Sequence, residues 1–397
     1  MKELQSIIDA SRAIEKRGVQ AALATVVNVA GSTYRRPGAR MLIAADGQTI
    51  GSVSGGCLER DVLNQAQRVL QSNTARVISY DSTSEDDIVL EFNLGCNGIV
   101  DVLIEPLPHN GIQSVVEFLA DCLEHRQAGV VATVFGVKGH MKAAIGNRVM
   151  LSARQPAIHD IGDEDLVEAI CRDSRRALDS GRPKVTRYEM PTGRAEVFIE
   201  VIHPPVPLVI FGAGQDAIPL VRFAKELGWH VTVIDPRPGH AIRQRFPLAD
   251  TLIVCRPQEV HEHIKIHRGT VAVVMTHHYL HDADLLKVLL PLPLRYLGLL
   301  GSKRRTQRLL HEARNERVLL GQRNLGSIHS PIGLDIGADT PEEIALAVAA
   351  EIQAVLAGRL GGMLRIRERP LHDQNHAVNV VTLSGTIQGV VSCGQAY

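Results

Sequence analysis

The segment from residue 208 to residue 235 constrains the fold more than any other part of this chain. An apolar strand, Leu208–Phe211, runs into the glycine-rich turn Gly212-Ala-Gly214-Gln-Asp-Ala217, a helix follows, and a second strand ends at Asp235. This order of strand, G-x-G-x-x-A turn, helix, strand and acid is the dinucleotide-binding fingerprint in its usual setting. The segment therefore predicts a Rossmann-like domain.

The fingerprint also predicts roles for individual residues. Gly212 and Gly214 permit the tight turn and the close approach of a pyrophosphate to the helix N-terminus. Asp235 is placed for ribose hydroxyls, and a dinucleotide such as NAD is the cofactor that this arrangement would bind. The alternative is that the turn is kept for structure alone, because the fold does not by itself imply the ligand.

Two further loops at predicted strand ends carry polar side chains. Gly301 and Ser302 open a helix that carries three cations, Arg304 among them, which favours a phosphate site over a solvated helix face. The segment 276–282 contains three histidines and an aspartate. Its spacing lacks the helical His-x-x-x-His pattern of zinc enzymes, so a metal site is the weaker interpretation there.

The N-terminal part of the chain centres on Cys57. A predicted β-hairpin with an Asp46-Gly47 turn leads to Gly55 and Gly56, and a helical pattern begins after Cys57. Unpaired N–H groups and the positive end of the dipole at a helix start favour a thiolate, which is the nucleophilic and metal-binding form. The alternative is a small buried cysteine that closes a tight turn.

A polar loop just upstream would reinforce this environment. It contains Arg35 and Arg36, with Arg40 close behind, and would add positive charge if it folds over the same turn. Cys96 lies in a second glycine-rich turn, 39 positions after Cys57. Two such thiols could hold a soft metal or pass a sulfur atom between them, whereas the alternative for Cys96 is a packed turn residue.

The predicted fold class is α/β, with an N-terminal α+β domain that has a mixed sheet, followed by a C-terminal Rossmann-like, doubly wound parallel sheet. The domain boundaries that we infer are 1–107, then a middle α/β region at 108–203 that can be drawn as continuous with the first domain, then 204–360 and a C-terminal extension at 361–397. The boundary near residue 204 rests on three prolines within four residues.

Composition excludes several classes of function. The formal net charge is zero, so there is no general electrostatic case for nucleic acid or for an anionic membrane. The six cysteines are scattered without a Cys-x-x-Cys pair, which favours a reducing compartment. The N-terminus lacks an apolar signal segment and no run is long enough to span a bilayer. A cytoplasmic location is therefore expected.

Taken in order, the motifs resemble a known family. The segments 31–38 and 54–59 and Leu94-Gly-Cys96 look like the N-terminal domain of the XdhC/CoxI family, the accessory factors of xanthine dehydrogenase and related molybdenum hydroxylases. The fingerprint, the Thr276-His277 pair, the 298–302 turn and the 330–337 segment are similar to the C-terminal Rossmann domain of that family.

The resemblance implies a chaperone that binds molybdenum cofactor, assists its sulfuration by a cysteine desulfurase, and delivers it to a xanthine dehydrogenase-type apoenzyme. Cys57 and Cys96 would be the working thiols, with Cys57 on the molybdenum, and a homo-oligomer is expected. The alternatives are an NAD(P)-dependent oxidoreductase that uses the Rossmann-like domain, and an interaction protein whose Rossmann site holds no ligand.

Overall fold

The chain folds into two compact units. A computed structural model describes residues 2–82, 98–107, 114–316, 326–368 and 379–383. The first unit comprises Glu3–Pro204 and includes the strand Asn379–Thr382 from the C-terminal part of the chain. The second unit comprises Pro205–Leu371. The division falls within the proline-rich segment 203–207.

The first unit contains two sheets, numbered here along the chain. The first sheet has the strand order β3-β2-β1-β5-β4 and is antiparallel throughout. Its strands are β1 (Ala21–Gly31), β2 (Arg40–Ala44), β3 (Thr49–Gly51), β4 (Arg76–Asp81) and β5 (Gly98–Pro106). Its helices are α1 (Lys2–Lys16) and α2 (Glu59–Ser72). The predicted hairpin is confirmed, since β2 and β3 pair antiparallel across Asp46-Gly47.

The first sheet is buried on both faces because β1 is apolar at successive positions. Ala22, Ala24 and Val26 pack in the cluster that contains the apolar face of α2. Ala21 and Leu23 point the other way, into a cluster shared with α1. This packing fixes the start of α2, and hence the loop that precedes it, against a rigid sheet.

The second sheet of the first unit is mixed and has the order β17-β9-β10-β6-β7-β8. Its strands are β6 (Gly129–Gly139), β7 (Arg148–Ser152), β8 (Ile158–His159), β9 (Lys184–Met190), β10 (Gly193–Ile202) and β17 (Asn379–Thr382), and its helices are α3 (Val115–Glu124) and α4 (Glu164–Ser180). The pairing of β17 with β9 is parallel and the others are antiparallel. Side chains of both sheets meet in one core with α1 and α3.

The second unit is a six-stranded parallel sheet with the order β13-β12-β11-β14-β15-β16. Its strands are β11 (Pro207–Phe211), β12 (His230–Ile234), β13 (Thr251–Ile253), β14 (Val271–Val274), β15 (Tyr296–Leu299) and β16 (Ile328–His329). Its helices are α5 (Ala217–Glu226), α6 (Val260–His263), α7 (Tyr279–Leu289), α8 (Lys303–Asn315) and α9 (Pro341–Leu356).

Helices cover both faces of this parallel sheet. Leu208 and Ile210 of β11 pack with α5 and α9, whereas Val209 and Phe211 pack with α7 and α8. The alternation along one central strand is the signature of a doubly wound sheet. The predicted fold class is confirmed, and the order of strands places its switch point between β11 and β14.

Candidate functional site

Cys57 lies in the short loop that joins β3 to α2, as the sequence predicts. The helix begins at Glu59, and the Cys57 side chain is exposed to solvent. Gly55 has a φ of +118°, and a Cβ there would lie 2.7 Å from two ring atoms of Tyr34. Only glycine meets both demands, because it tolerates positive φ and has no side chain to collide with the ring. The thiol is thus presented at the surface instead of closing a buried turn.

A pocket of about 130 Å³ opens beside this loop. It is formed by the arginine-containing loop, the cysteine loop and the ends of β4 and β5. Its lining comprises Ser32, Thr33, Tyr34, Arg35, Val53, Ser54, Gly55, Cys57, Leu58, Tyr80, Ser82, Gly98 and Val100. The structure therefore brings three predicted residues, Cys57, Gly55 and Arg35, to one pocket. The surface of the pocket is mostly apolar, and hydroxyl groups, one guanidinium and two tyrosine rings line it together with the thiol, which suits a planar guest with polar groups at its edge.

The carboxylate of Glu59, which the sequence analysis did not single out, holds the cysteine loop in place. It accepts hydrogen bonds from four consecutive backbone N–H groups, those of residues 53–56, at 2.8–3.2 Å. It also accepts from the hydroxyls of Ser52, at 2.7 Å, and Ser54. Burial would raise the pKa of Glu59, but the hydrogen bonds from the serine hydroxyls and the backbone hold it far below its usual range.

The position of Glu59 changes the prediction for the thiol. The prediction relied on unpaired N–H groups at the start of the helix. The N–H groups of residues 53–56, just before that start, donate to the Glu59 carboxylate, and the Leu58 N–H donates to the Ser54 hydroxyl at 2.9 Å. The signal was present in the sequence as serines at 52 and 54 followed by an acid in the first turn of α2. Serine and glutamate around a helix start commonly satisfy the free N–H groups there.

The three arginines of the upstream loop have different environments. Arg35 lines the pocket while it pairs with Glu3 at 2.5 Å. Arg36 is exposed on the same loop, outside the described lining. Arg40 is buried and pairs with Glu200 through both terminal nitrogens. The expectation that Arg40 adds charge beside Cys57 is therefore wrong, because its guanidinium is held within the core by Glu200.

The remaining cysteines divide into two groups. Cys122, Cys171 and Cys255 are buried, and burial raises the pKa of Cys122 to about 12. All three thiols lie in the core, where burial disfavours the reactive thiolate. Cys96 and Cys393 lie outside the described residues, so the role of Cys96 as a second working thiol stays a prediction.

The fingerprint turn of the second unit has the expected backbone. Gly212 has a φ of +111°, and a Cβ there would lie 2.5 Å from the carbonyl oxygen of Met275, so glycine is required where β11 and β14 meet. Asp235 is buried at the end of β12 and accepts from the Ala213 N–H at 2.8 Å. Arg237 donates to both oxygens of Asp235, at 2.7 and 2.8 Å. The predicted ribose contact of Asp235 thus competes with the hydrogen bonds that Ala213 and Arg237 donate to the same carboxylate.

Asp235 should make the stability of the protein depend on pH in acid. Burial would raise its pKa, but the bonds from Arg237 and Ala213 outweigh burial and lower it from 3.8 to about 2. Because the folded pKa is the lower one, the stabilisation is present above about pH 4 and is lost as the pH falls towards 2. We expect Asp235→Asn to lose about 2 kcal/mol of unfolding free energy at neutral pH.

Urea unfolding of the wild type and Asp235→Asn over this pH range measures the effect. The difference between the two proteins should shrink steadily below about pH 4. A difference that stays constant down to about pH 2.5 would contradict the assigned pKa.

The predicted phosphate loop starts α8. Ser302 is the N-cap of this helix and its hydroxyl accepts from the Arg305 N–H. Gly301 precedes it with a φ of +132°, and Arg304 is exposed on the first turn. The side chain of Arg305 pairs instead with the buried Asp282 at 2.6 Å. A phosphate contact at Gly301, Ser302 and Arg304 stays a prediction.

The histidine-rich loop has polar partners of its own. Asp282 bonds to Thr276 as well as to Arg305. His278 caps the N-terminus of α7 through its ring nitrogen, and His277 bonds to Asp216 of the fingerprint turn at 2.6 Å. Among the described residues, no group of three His, Cys, Asp or Glu side chains is arranged to hold a metal ion. Within the same ranges, no helix has the length and apolar composition of a membrane span.

Comparison with known proteins agrees with this architecture. The profile described as the XdhC Rossmann domain matches residues 208–352, and that of the XdhC and CoxI family matches residues 14–81 and 122–189. An uncharacterised protein of Escherichia coli (strain K12) is 27% identical over 257 residues, which are 62% of this chain and 46% of that protein.

Two relatives match nearly the whole chain. A probable xanthine dehydrogenase subunit of Bacillus subtilis (strain 168) is 35% identical over 333 residues, covering 84% of this chain and 92% of that protein. The second is a xanthine dehydrogenase from Bacillus halodurans with a solved crystal structure, whose sequence is 30% identical to this chain. The structural alignment has a TM-score of 0.70 and covers 91% of this chain and 98% of that protein. The chain therefore belongs to the XdhC and CoxI family, and its second unit contains an XdhC Rossmann domain.

Proposed function

We propose that this protein is an accessory factor of a xanthine dehydrogenase-type molybdenum hydroxylase. It binds molybdenum cofactor as cargo, supports the sulfuration of that cofactor by a cysteine desulfurase, and delivers it to the apoenzyme. The observation that carries the proposal is an exposed Cys57 in a pocket that two tyrosine rings and Arg35 also line, within a chain whose relatives are named for xanthine dehydrogenase.

The chemistry of the pocket matches such a cargo. A thiolate is a soft ligand that suits molybdenum, and the ligation is reversible, as a carrier requires. The exposed ring of Tyr34, 71% accessible, offers a face on which a planar pterin can stack. Arg35 lines the same pocket as the thiol, where it pairs with Glu3, and can donate to an anionic group of the cargo. Each of these groups binds the cargo without any permanent chemical change in the protein.

The oxidoreductase alternative has less support. Such an enzyme needs a dinucleotide, and the acid that would receive its ribose hydroxyls is Asp235. Both oxygens of this carboxylate already have protein donors, and the residue is buried. Dinucleotide binding would first have to displace Arg237.

A retention assay with released molybdenum cofactor tests the proposal. Full-length protein is mixed anaerobically with cofactor liberated from a purified molybdoenzyme, and the molybdenum that stays with the protein after gel filtration is measured. We expect Cys57→Ser to retain at least about tenfold less, because a hydroxyl is a poor ligand for a soft metal.

The matched control is Cys255→Ala, which removes a buried thiol from the second unit. It should retain cofactor as the wild type does. Equal retention by the wild type and Cys57→Ser would contradict the proposal that the Cys57 thiol binds the cofactor. The retained cofactor should then activate a cofactor-free xanthine dehydrogenase when the two proteins are mixed.

A further inference from the structure

A second candidate site lies in the second unit, at the switch point of the parallel sheet. Ligands of doubly wound sheets bind outside the carboxyl ends of the strands where the strand order reverses. Here β11 and β14 are the adjacent strands, and the turns that follow them touch, as the close approach of Gly212 to Met275 shows. His277 comes from the turn after β14 and Asp216 from the turn after β11.

His277 has an unusual conformation and an available ring atom. Its φ is +58°, in the left-handed region that side chains with a Cβ seldom adopt. Nε2 lies 2.6 Å from Oδ2 of Asp216, and the side chain is 60% exposed. No residue in the described part of the chain bonds to Nδ1. In the tautomer whose Nε2–H donates to Asp216, Nδ1 carries a lone pair that can accept a hydrogen bond from a ligand.

Asp216 lies where a dinucleotide would need space for its phosphates. Its carboxylate is 12% exposed at the N-terminus of α5, and one oxygen lies 2.7 Å from the position of a Cβ on Gly214. Two cations are nearby, but Arg237 pairs with Asp235 and Arg245 donates to the Ala213 carbonyl at 2.7 Å. A diphosphate at this turn would therefore meet a fixed negative charge at close range.

We infer that His277 and Asp216 form a binding site for an uncharged, hydroxyl-bearing ligand of the nucleoside type, and that Asp216 excludes a diphosphate from the fingerprint turn. The ligand hydroxyl donates to Nδ1 of His277, and Asp216 fixes the tautomer and orientation of the ring. No bond is broken. The inference goes beyond the proposed carrier function, since it concerns a different unit and a different class of ligand.

Calorimetric titration of the full-length protein with adenosine and with ADP tests this site. The wild type should bind adenosine at least about tenfold more tightly than ADP, and Asp216→Asn should raise the affinity for ADP by about tenfold, because one like charge is removed. His277→Asn should weaken the binding of adenosine by about tenfold. Asparagine is the replacement because it tolerates the left-handed backbone of residue 277. Asp284→Asn, an equal charge change on α7, should alter neither affinity.

The outcomes separate clearly. The inference is overturned if ADP binds the wild type as tightly as adenosine, if Asp216→Asn leaves the ratio of the two affinities unchanged, or if the wild type binds no adenosine. Thermal unfolding of each variant shows whether the second unit is folded, so that lost binding is not confused with lost structure.

Discussion

Replacing Glu59 by alanine should lower the free energy of unfolding by about 3 kcal/mol and reduce the retention of cofactor below detection. The carboxylate joins four backbone N–H groups and two hydroxyls into one loop. Hydrogen bonds to a charged group are the strong ones, and each donor left without a partner adds a cost. Without the carboxylate, no hydrogen bond holds Gly55 and Gly56 at their positive φ values. The loop can then change conformation, and Cys57 loses its fixed position in the pocket.

The matched control is Glu117→Ala, which removes a capping-box glutamate from the start of α3 in the same unit. We expect a loss of about 1 kcal/mol and unchanged retention of cofactor. Urea unfolding gives the stability of each variant. The rate at which Cys57 reacts with a neutral maleimide reports whether the loop has moved. A Glu59→Ala protein with the stability and thiol reactivity of the wild type would refute the role assigned to this carboxylate.

The second large effect should come from the buried ion pair of Arg40 and Glu200. Their side chains are 5% and 13% exposed, and the guanidinium donates through both terminal nitrogens. Breaking such a pair leaves one charge buried without a partner, which typically costs about 3–5 kcal/mol. We therefore expect Arg40→Met to unfold at a much lower urea concentration than the wild type.

The double variant Arg40→Met/Glu200→Leu separates the pair from the packing. Removing both charges should recover most of the stability, because apolar groups of similar size often replace a buried ion pair without loss. If the double variant is as unstable as Arg40→Met, the loss comes from packing and the ion-pair account is wrong. Cys57 should react with maleimide at the wild-type rate in the double variant, because Arg40 does not line the pocket.

Much of the fold was predictable because the strongest local signals agree with the tertiary structure. The fingerprint specified β11, α5 and β12, and the Asp46-Gly47 turn specified the hairpin of β2 and β3. Thr340, Pro341 and Glu343 form the capping box at the start of α9, which is a local signal of the same kind. Each of these signals acts over a few residues, so no distant contact is needed to read it.

The elements that the sequence analysis missed depend on distant partners. The strands β7 and β8 are short, and β9 has buried positions only at Thr186 and Tyr188. The partner of β17 was missed as well. The sequence predicts a hairpin of the segments 378–383 and 386–391; the first contains β17, which pairs with β9 from nearly 200 positions away along the chain, and the second lies outside the described residues. Such pairing is decided by packing, which alternation within one strand cannot reveal.

The site divides in the same way. The position of Cys57 between a strand and a helix followed from periodicity, and its exposure fits the reactive interpretation. The partners of the charged residues did not follow. Glu59 folds back on its own loop, Arg40 reaches Glu200, and Asp216 meets His277 across 61 positions of sequence. Ion pairs of this kind are fixed by the assembled core, so charge near a motif in sequence is a weak guide to charge near it in space.

The most direct test of the carrier role is the small-molecule content of the protein itself. The full chain and Cys57→Ser are purified anaerobically from cells that synthesise molybdenum cofactor, and their molybdenum and pterin contents are measured by elemental analysis and mass spectrometry. We predict molybdenum and pterin in a one-to-one ratio in the wild type and at least about tenfold less of both in Cys57→Ser. A wild-type protein that carries no pterin, although the cofactor is present in the same extract, would contradict the account.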